Sequence, residues 1–210
     1  MSSRTIQWYN NAHEELLLQA KPEFYKTVAN LATGLHLDIS CGLGFSLRLR
    51  EGVGCDFSRK SVTLAKQMAP KSFFVVCDAQ HLPFKSNSFD TVSCLGSLEH
   101  YPDYVCALKE ARRVLQTHGR FLISITNKNR WTGIFRFFFR GLRQPIEKPL
   151  SVSDALRILR ESGFSITKIT NPHQFDFLNY CNLPRFISVF LNKVDRIMPL
   201  SSAIEPFYIG

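Results

Sequence analysis

Apolar positions along the chain fall into short unbroken runs that alternate with stretches of helical period, and the alternation predicts the elements. Leu35–Ile39 is a short apolar run closed by a turn containing glycine, and Phe45–Glu51 reads as a short helix. Gly52–Asp56 predicts a second strand. Ser58 is placed to cap a helix over Arg59–Ala69, which Pro70 ends. Phe73–Cys77 (FFVVC) is nearly uninterrupted in apolarity, the pattern of a strand covered on both faces. Phe89–Leu95 predicts a fourth strand, Asp103–Gln116 a helix ended by His118-Gly119, and Arg120–Thr126 a fifth strand. Ahead of all these, residues 12–32 read as a helix interrupted or restarted near Pro22 and ended by Gly34.

Strands spaced by short helices imply βαβ crossovers and a parallel, doubly wound sheet. After Thr126 the pattern changes. Asn129–Leu142 predicts a helix inserted after the fifth strand, and Ser153–Ser162 another, capped by Ser151 or Ser153. Gly163 breaks before a strand over Phe164–Thr170, and the last forty residues, rich in Phe, Leu and Ile, end in the strand-like Phe207–Ile209. The expected fold is α/β: a doubly wound, mostly parallel seven-stranded sheet with a helical insertion.

Composition narrows the class. A chain of 210 residues fits one domain, and 45% hydrophobic against 20% charged residues predicts a packed core. Six cysteines (41, 55, 77, 94, 106, 181) form no CxxC pair and no Cys/His cluster at zinc spacing, so no metal site is expected. Most lie in apolar runs, as buried thiols of a reducing cytoplasm do. The opening MSSRTIQWYNNAHEE has no apolar centre, which speaks against a signal peptide. No apolar stretch reaches the roughly 18 residues of a membrane span. The net charge of +9 sits almost wholly in one half: residues 1–100 carry 10 basic and 9 acidic side chains, residues 101–210 carry 16 and 8. A basic half suggests an anionic partner, and a soluble surface explains it equally well.

The candidate chemistry lies at the strand ends. In LHLDISCGLG (35–44) a strand carries Asp38 straight into a turn with Gly42 and Gly44, where a ligand can approach the backbone without meeting a Cβ. Eighteen residues on, Asp56 ends the second strand, placed to accept from both hydroxyls of a ribose. Twenty-two further, Asp78 ends the third, placed for an adenine amino group. The competing reading is that each Asp caps the helix after it. Position 47 is Leu, so the dinucleotide pattern GxGxxG is incomplete, and no GK[ST] of a phosphate loop is present. An acid before the glycine turn, without a phosphate cradle, suits a ligand with an ammonium group and no phosphate. S-adenosylmethionine fits that description.

These motifs, in this order, resemble the class I S-adenosylmethionine-dependent methyltransferases, in particular the type 11 group that includes ubiquinone/menaquinone-biosynthesis-like enzymes. LDISCGLG is similar to the first motif of that family, VGCDFS to its ribose-binding motif and VVCDAQHLPF to its adenine-binding motif. FDTVSCLGSLEHYPD and ALKEARRVLQTHGRFLISITN resemble the fourth strand and the helix and strand that follow. The resemblance covers residues 8–126. It implies a Rossmann-like methyltransferase fold in a single domain, with a cofactor-binding core over 1–126. It also implies that Asp38, Gly42 and Gly44 line the amino-acid end of the cofactor. Asp56 would bind the ribose with Phe57 beside the adenine, Asp78 and Ala79 would read the adenine edge, and Leu95 and Gly96 would sit near the sulfonium. Ser40 departs from the family's usual glycine and puts a side chain near the methionine moiety. The stretch from Gly44 to Asp56 is shorter than typical, so the first crossover helix should be stubby.

Methyl transfer from a sulfonium asks the protein for alignment and, with an oxygen or carbon acceptor, for a base. His100, after the fourth strand, is the candidate base, with a structural histidine or a cofactor contact as the alternatives. No [DN]PP[YF] tetrapeptide follows the fourth strand, which by resemblance disfavours methylation of exocyclic amines on nucleic-acid bases or glutamine. Residues 128–143, KNRWTGIFRFFFRGLR, hold five basic residues and no acid. On a helical wheel Trp131, Phe135, Phe138 and Leu142 share one stripe and Arg136, Arg140 and Arg143 another face. Such a helix is either a lid over the acceptor pocket or a helix lying at a membrane surface through 129–143. The expectation is a cytoplasmic enzyme, in the second case membrane-peripheral, that methylates a small-molecule or lipid-like acceptor held by residues 127–162 and 173–200. An RNA methyltransferase and a cofactor-binding protein without turnover are the rival readings.

Overall fold

The structure, a computed structural model, describes residues 7, 22–125, 148, 150–170 and 207–209. Along the chain the elements are α1 (Pro22–Leu31), β1 (His36–Ile39), α2 (Phe45–Leu49), β2 (Val53–Asp56), α3 (Arg59–Met68) and β3 (Phe73–Val76). Then follow β4 (Phe89–Leu95), a single 3-10 turn (Leu98–His100), α4 (Tyr104–Val114), β5 (Leu115–Ser124), α5 (Val152–Glu161), β6 (Lys168–Thr170) and β7 (Phe207–Ile209). The strand order is β3-β2-β1-β4-β5-β7-β6. The first five run parallel, and β7 and β6 are added antiparallel at the β5 side. The parallel five-stranded sheet is the one the alternating pattern predicts.

Strand alternation sorts side chains onto two faces. Leu37 and Ile39 of β1, Val92 and Cys94 of β4, and Phe121 and Ile123 of β5 pack on Ala107, Leu108 and Ala111 of α4. Ala155, Ile158 and Leu159 of α5 join the same cluster, so α5 packs into the sheet's main core. Phe121 and Phe164 stack there with centroids 4.2 Å apart. On the opposite face Leu122 meets Phe24 and Val28 of α1, while Leu47 of α2 and Val62 and Ala65 of α3 surround Phe74. Full burial of a side chain such as Phe121 contributes about 1.5–3 kcal/mol.

Caps end the helices where the sequence places them. Ser58 Oγ accepts from Ser61 N at 3.1 Å at the start of α3, and Ser151 Oγ accepts from Asp154 N at 3.1 Å at the start of α5, which decides between the two serines. The first crossover helix, α2, has five residues and is as short as expected.

Three predicted elements differ. Phe73–Cys77 was expected to be covered on both faces, but β3 is the sheet's edge, with Phe73 76% and Val76 40% exposed. Only Phe74 of that run turns into the α2–α3 cluster. The helix expected over Asp103–Gln116 stops at Val114, because Leu115 pairs with Phe89 and Arg120 with Thr91, pushing 116–119 out as an irregularity in β5. A Cβ on Gly119 would lie 2.6 Å from Leu115 Cδ1, which shows how tightly that excursion folds onto the strand. The strand expected over Phe164–Thr170 shrinks to three residues, since Phe164 is taken up by its stack on Phe121. The predicted helix over 129–142, the acceptor-side segment 173–200 and residues 12–21 lie outside the described residues.

Candidate active site

The sheet order makes β1 and β4 neighbours, with β2 and β3 to one side and β5 to the other. At such a switch point the loops leaving the strands diverge, and a crevice opens outside their carboxyl ends. The loop after β1 lines it. Ser40, Gly42 and Gly44 all have left-handed backbone, at φ of 54°, 52° and 72°. Cys41 N donates to Cys55 O and Gly44 N to Cys41 O, which folds the loop back towards β2. At Gly44 a Cβ would press on the Phe74 ring at 3.2 Å and on Ala65 Cβ at 3.3 Å, so this glycine is needed for packing as well as conformation. Gly42 differs: among the described residues a Cβ there would meet nothing within 4 Å. No described side chain covers its backbone on that side.

Asp56 holds this loop in place. Its Oδ2 accepts from Gly42 N at 3.0 Å and its Oδ1 from Ser58 N at 2.8 Å. The cap of α3 is Ser58, so Asp56 does not have the capping role that competed with the ribose reading. Burial pushes the Asp56 carboxyl up to about 6, against the pull of the two amide donors. Two accepted bonds leave lone pairs on both oxygens for further donors. Asp78 follows β3 and turns onto its neighbour, Oδ1 accepting from Gln80 N at 3.0 Å. Phe57 beside Asp56 is half-buried, and Ala79 after Asp78 is buried.

Asp38 lies deeper, with 3% of its surface exposed. Its Oδ1 accepts from Ser93 Oγ at 2.7 Å and its Oδ2 from Ser46 Oγ. It therefore ties β1 to β4 and to α2 beneath the loop. Burial pushes it up to about 6, opposed by the two serine donors and reinforced by the nearby Asp56. His36, two residues earlier on the same face, places Nε2 2.8 Å from Ser93 Oγ. Because Ser93 gives its proton to Asp38, His36 donates from Nε2 into Ser93, and burial together with Arg50 lowers its pKa to about 4.

The fourth strand completes the crevice. Leu95 ends β4, and Gly96 follows at φ 60° with its N donating to Ser124 O at 3.1 Å. His100 closes the turn, 9% exposed, with Nε2 4.0 Å from Glu99 Oε1. The loop 40–44, Asp56–Phe57, Asp78–Ala79, Leu95–Gly96 and His100 thus all lie at or just past the carboxyl ends of the parallel strands. Sequence reasoning missed Ser46, Ser93, His36 and Tyr101. A signal for two of them exists: Ser93 and His36 are polar residues inside otherwise apolar strands, and His36 keeps the two-residue alternation of Asp38.

The methyltransferase-domain family profile matches residues 37–123, from β1 to β5. A demethylmenaquinone methyltransferase of Thermotoga maritima is 34% identical over 175 residues, covering 73% of this chain and 75% of that protein. The chain belongs to the S-adenosylmethionine-dependent methyltransferase family. An uncharacterized protein of Methanocaldococcus jannaschii is 32% identical over 149 residues, 71% of this chain, and the chain spans 64% of its length. The crystal structure of a family methyltransferase from Thermotoga maritima superimposes with a TM-score of 0.73 over 100% of this chain and 99% of that one, at 18% identity, which speaks to the fold. The cofactor of the family, S-adenosylmethionine, fits the residues present: among the described residues nothing closes over Gly42, and Asp56 keeps acceptor capacity beside it.

Proposed function

We propose that this protein transfers the methyl group of S-adenosylmethionine to a small, apolar acceptor of the prenylated-quinone kind. The observation that carries the cofactor half is Asp56, which braces Gly42 N while no described side chain covers Gly42. In this reading Asp56 accepts from the ribose hydroxyls and Asp78 and Ala79 meet the adenine edge, with Phe57 beside the ring. Ser40, Gly42 and Gly44 wrap the amino-acid end over Asp38, and Leu95 and Gly96 flank the sulfonium.

When bound, S-adenosylmethionine supplies a methyl group on a sulfonium with a good leaving group. The chain's own part is to align the acceptor and remove its proton. His100 stands at the end of the turn after β4 and takes that proton on its imidazole. The Glu99 carboxylate, 4.0 Å away, offsets the charge that forms.

The acceptor half rests on the demethylmenaquinone methyltransferase relative and on where the chain re-enters the fold. The chain leaves the carboxyl side of the sheet at Ile125 and comes back at Lys148, whose N donates to Glu99 O at 2.8 Å and whose Nζ donates to Pro102 O at 2.9 Å. In this reading residues 127–162 and 173–200 form the acceptor side, with 129–143 as a lid or as a helix resting on a membrane surface. Among the described residues no helix is long and apolar enough to cross a membrane.

Calorimetry with S-adenosylhomocysteine, and a methylation assay on a reduced prenylated naphthoquinone that lacks the ring methyl, test the two halves separately. Binding that Asp56→Ala abolishes, with turnover that His100→Ala reduces at unchanged cofactor affinity, supports both. Absence of cofactor uptake by the intact protein overturns the reading, and uptake without quinone turnover overturns the acceptor assignment alone.

A further inference from the structure

The crevice is spanned by a contact that neither the family motifs nor the acid-and-glycine pattern accounts for. Tyr101, just past the turn that carries His100, is 3% exposed. Its hydroxyl lies 2.6 Å from Ser40 Oγ in the loop after β1 and donates to Ser97 Oγ, after β4, at 3.4 Å. Cys94 Sγ of β4 lies 3.6 Å from the same oxygen. One phenol thus ties the loop of β1 to the loop of β4 across the switch point. Ser40 pays for its place with left-handed backbone, a conformation that a residue with a Cβ adopts only where its surroundings hold it.

We propose that Tyr101 is a positioning residue that fixes the Ser40 hydroxyl as a hydrogen-bond acceptor for the ammonium group of the cofactor's amino-acid end. The inference rests on the cofactor reading above. With Asp56 and Asp78 at the ends of β2 and β3 holding the nucleoside, the remaining arm of the ligand extends over the gap between β1 and β4, where Ser40 and Tyr101 stand. A phenol has one proton. Given to Ser97, it leaves Tyr101 accepting from Ser40, so Ser40 spends its own proton inward and keeps both lone pairs for an outside donor. Burial raises the Tyr101 pKa well above that of a free phenol, and the group stays protonated across the working range. Where the family's usual glycine gives way to Ser40, the tyrosine hydroxyl makes the extra side chain useful.

The test is calorimetry of the full chain with two ligands that share the nucleoside: S-adenosylhomocysteine, which has the amino-acid end, and 5′-methylthioadenosine, which lacks it. Tyr101→Phe is expected to weaken S-adenosylhomocysteine about threefold to tenfold, the range of one hydrogen bond, and to leave 5′-methylthioadenosine within about twofold. Ser40→Ala should do the same, and the double variant should bind no worse than either single one. Equal losses for both ligands mean that Tyr101 only supports the fold and overturn the proposal, as do additive losses or no loss at all. If Tyr101→Phe fails to fold, Ser40→Ala alone gives the same contrast between ligands. Wild-type protein that binds neither ligand overturns the cofactor reading itself. Wild-type protein that binds both alike while the variants leave them alike overturns only the role of Tyr101.

Discussion

Asp38 and Ser93 face each other in register across the β1–β4 pair, and the serine hydroxyl donates to the carboxylate at 2.7 Å while taking a hydrogen bond from His36 Nε2 at 2.8 Å. The two strands that bound the crevice are therefore joined by side chains as well as by their backbones. Ser93 is fully buried, so no water replaces it if the hydroxyl is removed. Ser93→Ala leaves Asp38 one donor short and His36 without an acceptor. It is expected to cost about 1–3 kcal/mol, the price of buried polar groups left unsatisfied. Urea unfolding checks it, and an unchanged midpoint at unchanged slope would show that the relay does not hold the strands.

The same relay gives the stability a defined pH dependence. Folding raises Asp38 and Asp56 to about 6, so between about pH 4 and 6 the folded state holds more protons than the unfolded chain. Their contribution is complete at low pH and is lost as pH rises through about 6. His36 works the other way. Its pKa is lowered to about 4, so its contribution is present above about 6.5 and is lost as pH falls. Two carboxyls outweigh one imidazole, and unfolding free energy is expected to decline from pH 5 to pH 7. His36→Gln should steepen the decline. Urea melts at the two pH values measure it, and a rise in stability over that interval would contradict the assignment.

Cofactor affinity should follow the opposite slope. Ribose hydroxyls donate, so they favour the ionised Asp56, and binding of S-adenosylhomocysteine should weaken by up to about tenfold per pH unit below about 6. Asp56→Asn is expected to bind weakly and with a flat profile. Calorimetric titrations in two buffers of different ionisation enthalpy would also register the proton released as Asp56 ionises. Affinity independent of pH in the wild type would remove Asp56 from the ligand's first contacts.

The parallel sheet and the loop of the site were legible in the sequence because each is local. Apolar runs of strand length, a glycine turn and a serine cap write themselves into a few consecutive residues. The edge position of β3 was not legible, since FFVV reads the same whether another strand lies beyond it or not. Nor was the early end of α4, which is decided by Leu115 pairing with Phe89, a contact 26 residues away in the chain. Within the site, Asp38, Asp56 and the glycines announce themselves by spacing. Ser93 and Tyr101 matter through partners 55 and 61 residues distant, and only the folded chain brings those together.

The exposed edge has a consequence of its own. β3 carries no charged residue or proline to deter pairing with another strand, and Phe73 stands 76% exposed on it. Phe73→Lys is expected to leave the unfolding midpoint and cofactor affinity unchanged while lowering self-association at high concentration. Light scattering against concentration is the measurement. A drop in stability would mean that Phe73 is covered in solution.

Gly42 and Gly44 share left-handed backbone but differ in what surrounds them, and alanine at each separates fold from function. At Gly42 the added methyl meets none of the described residues within 4 Å, so the loss of stability should be only the backbone strain, about 1 kcal/mol. The methyl would nevertheless stand in the open space assigned to the cofactor, and affinity should fall by at least about tenfold, the effect of losing close backbone approach. At Gly44 the methyl would press on Phe74 at 3.2 Å and Ala65 at 3.3 Å, so strain and overpacking add, and stability should fall by about 2–4 kcal/mol. Thermal melts and calorimetry on the two variants decide the matter. If Gly42→Ala binds S-adenosylhomocysteine like the wild type, the space over that glycine is not where the ligand lies.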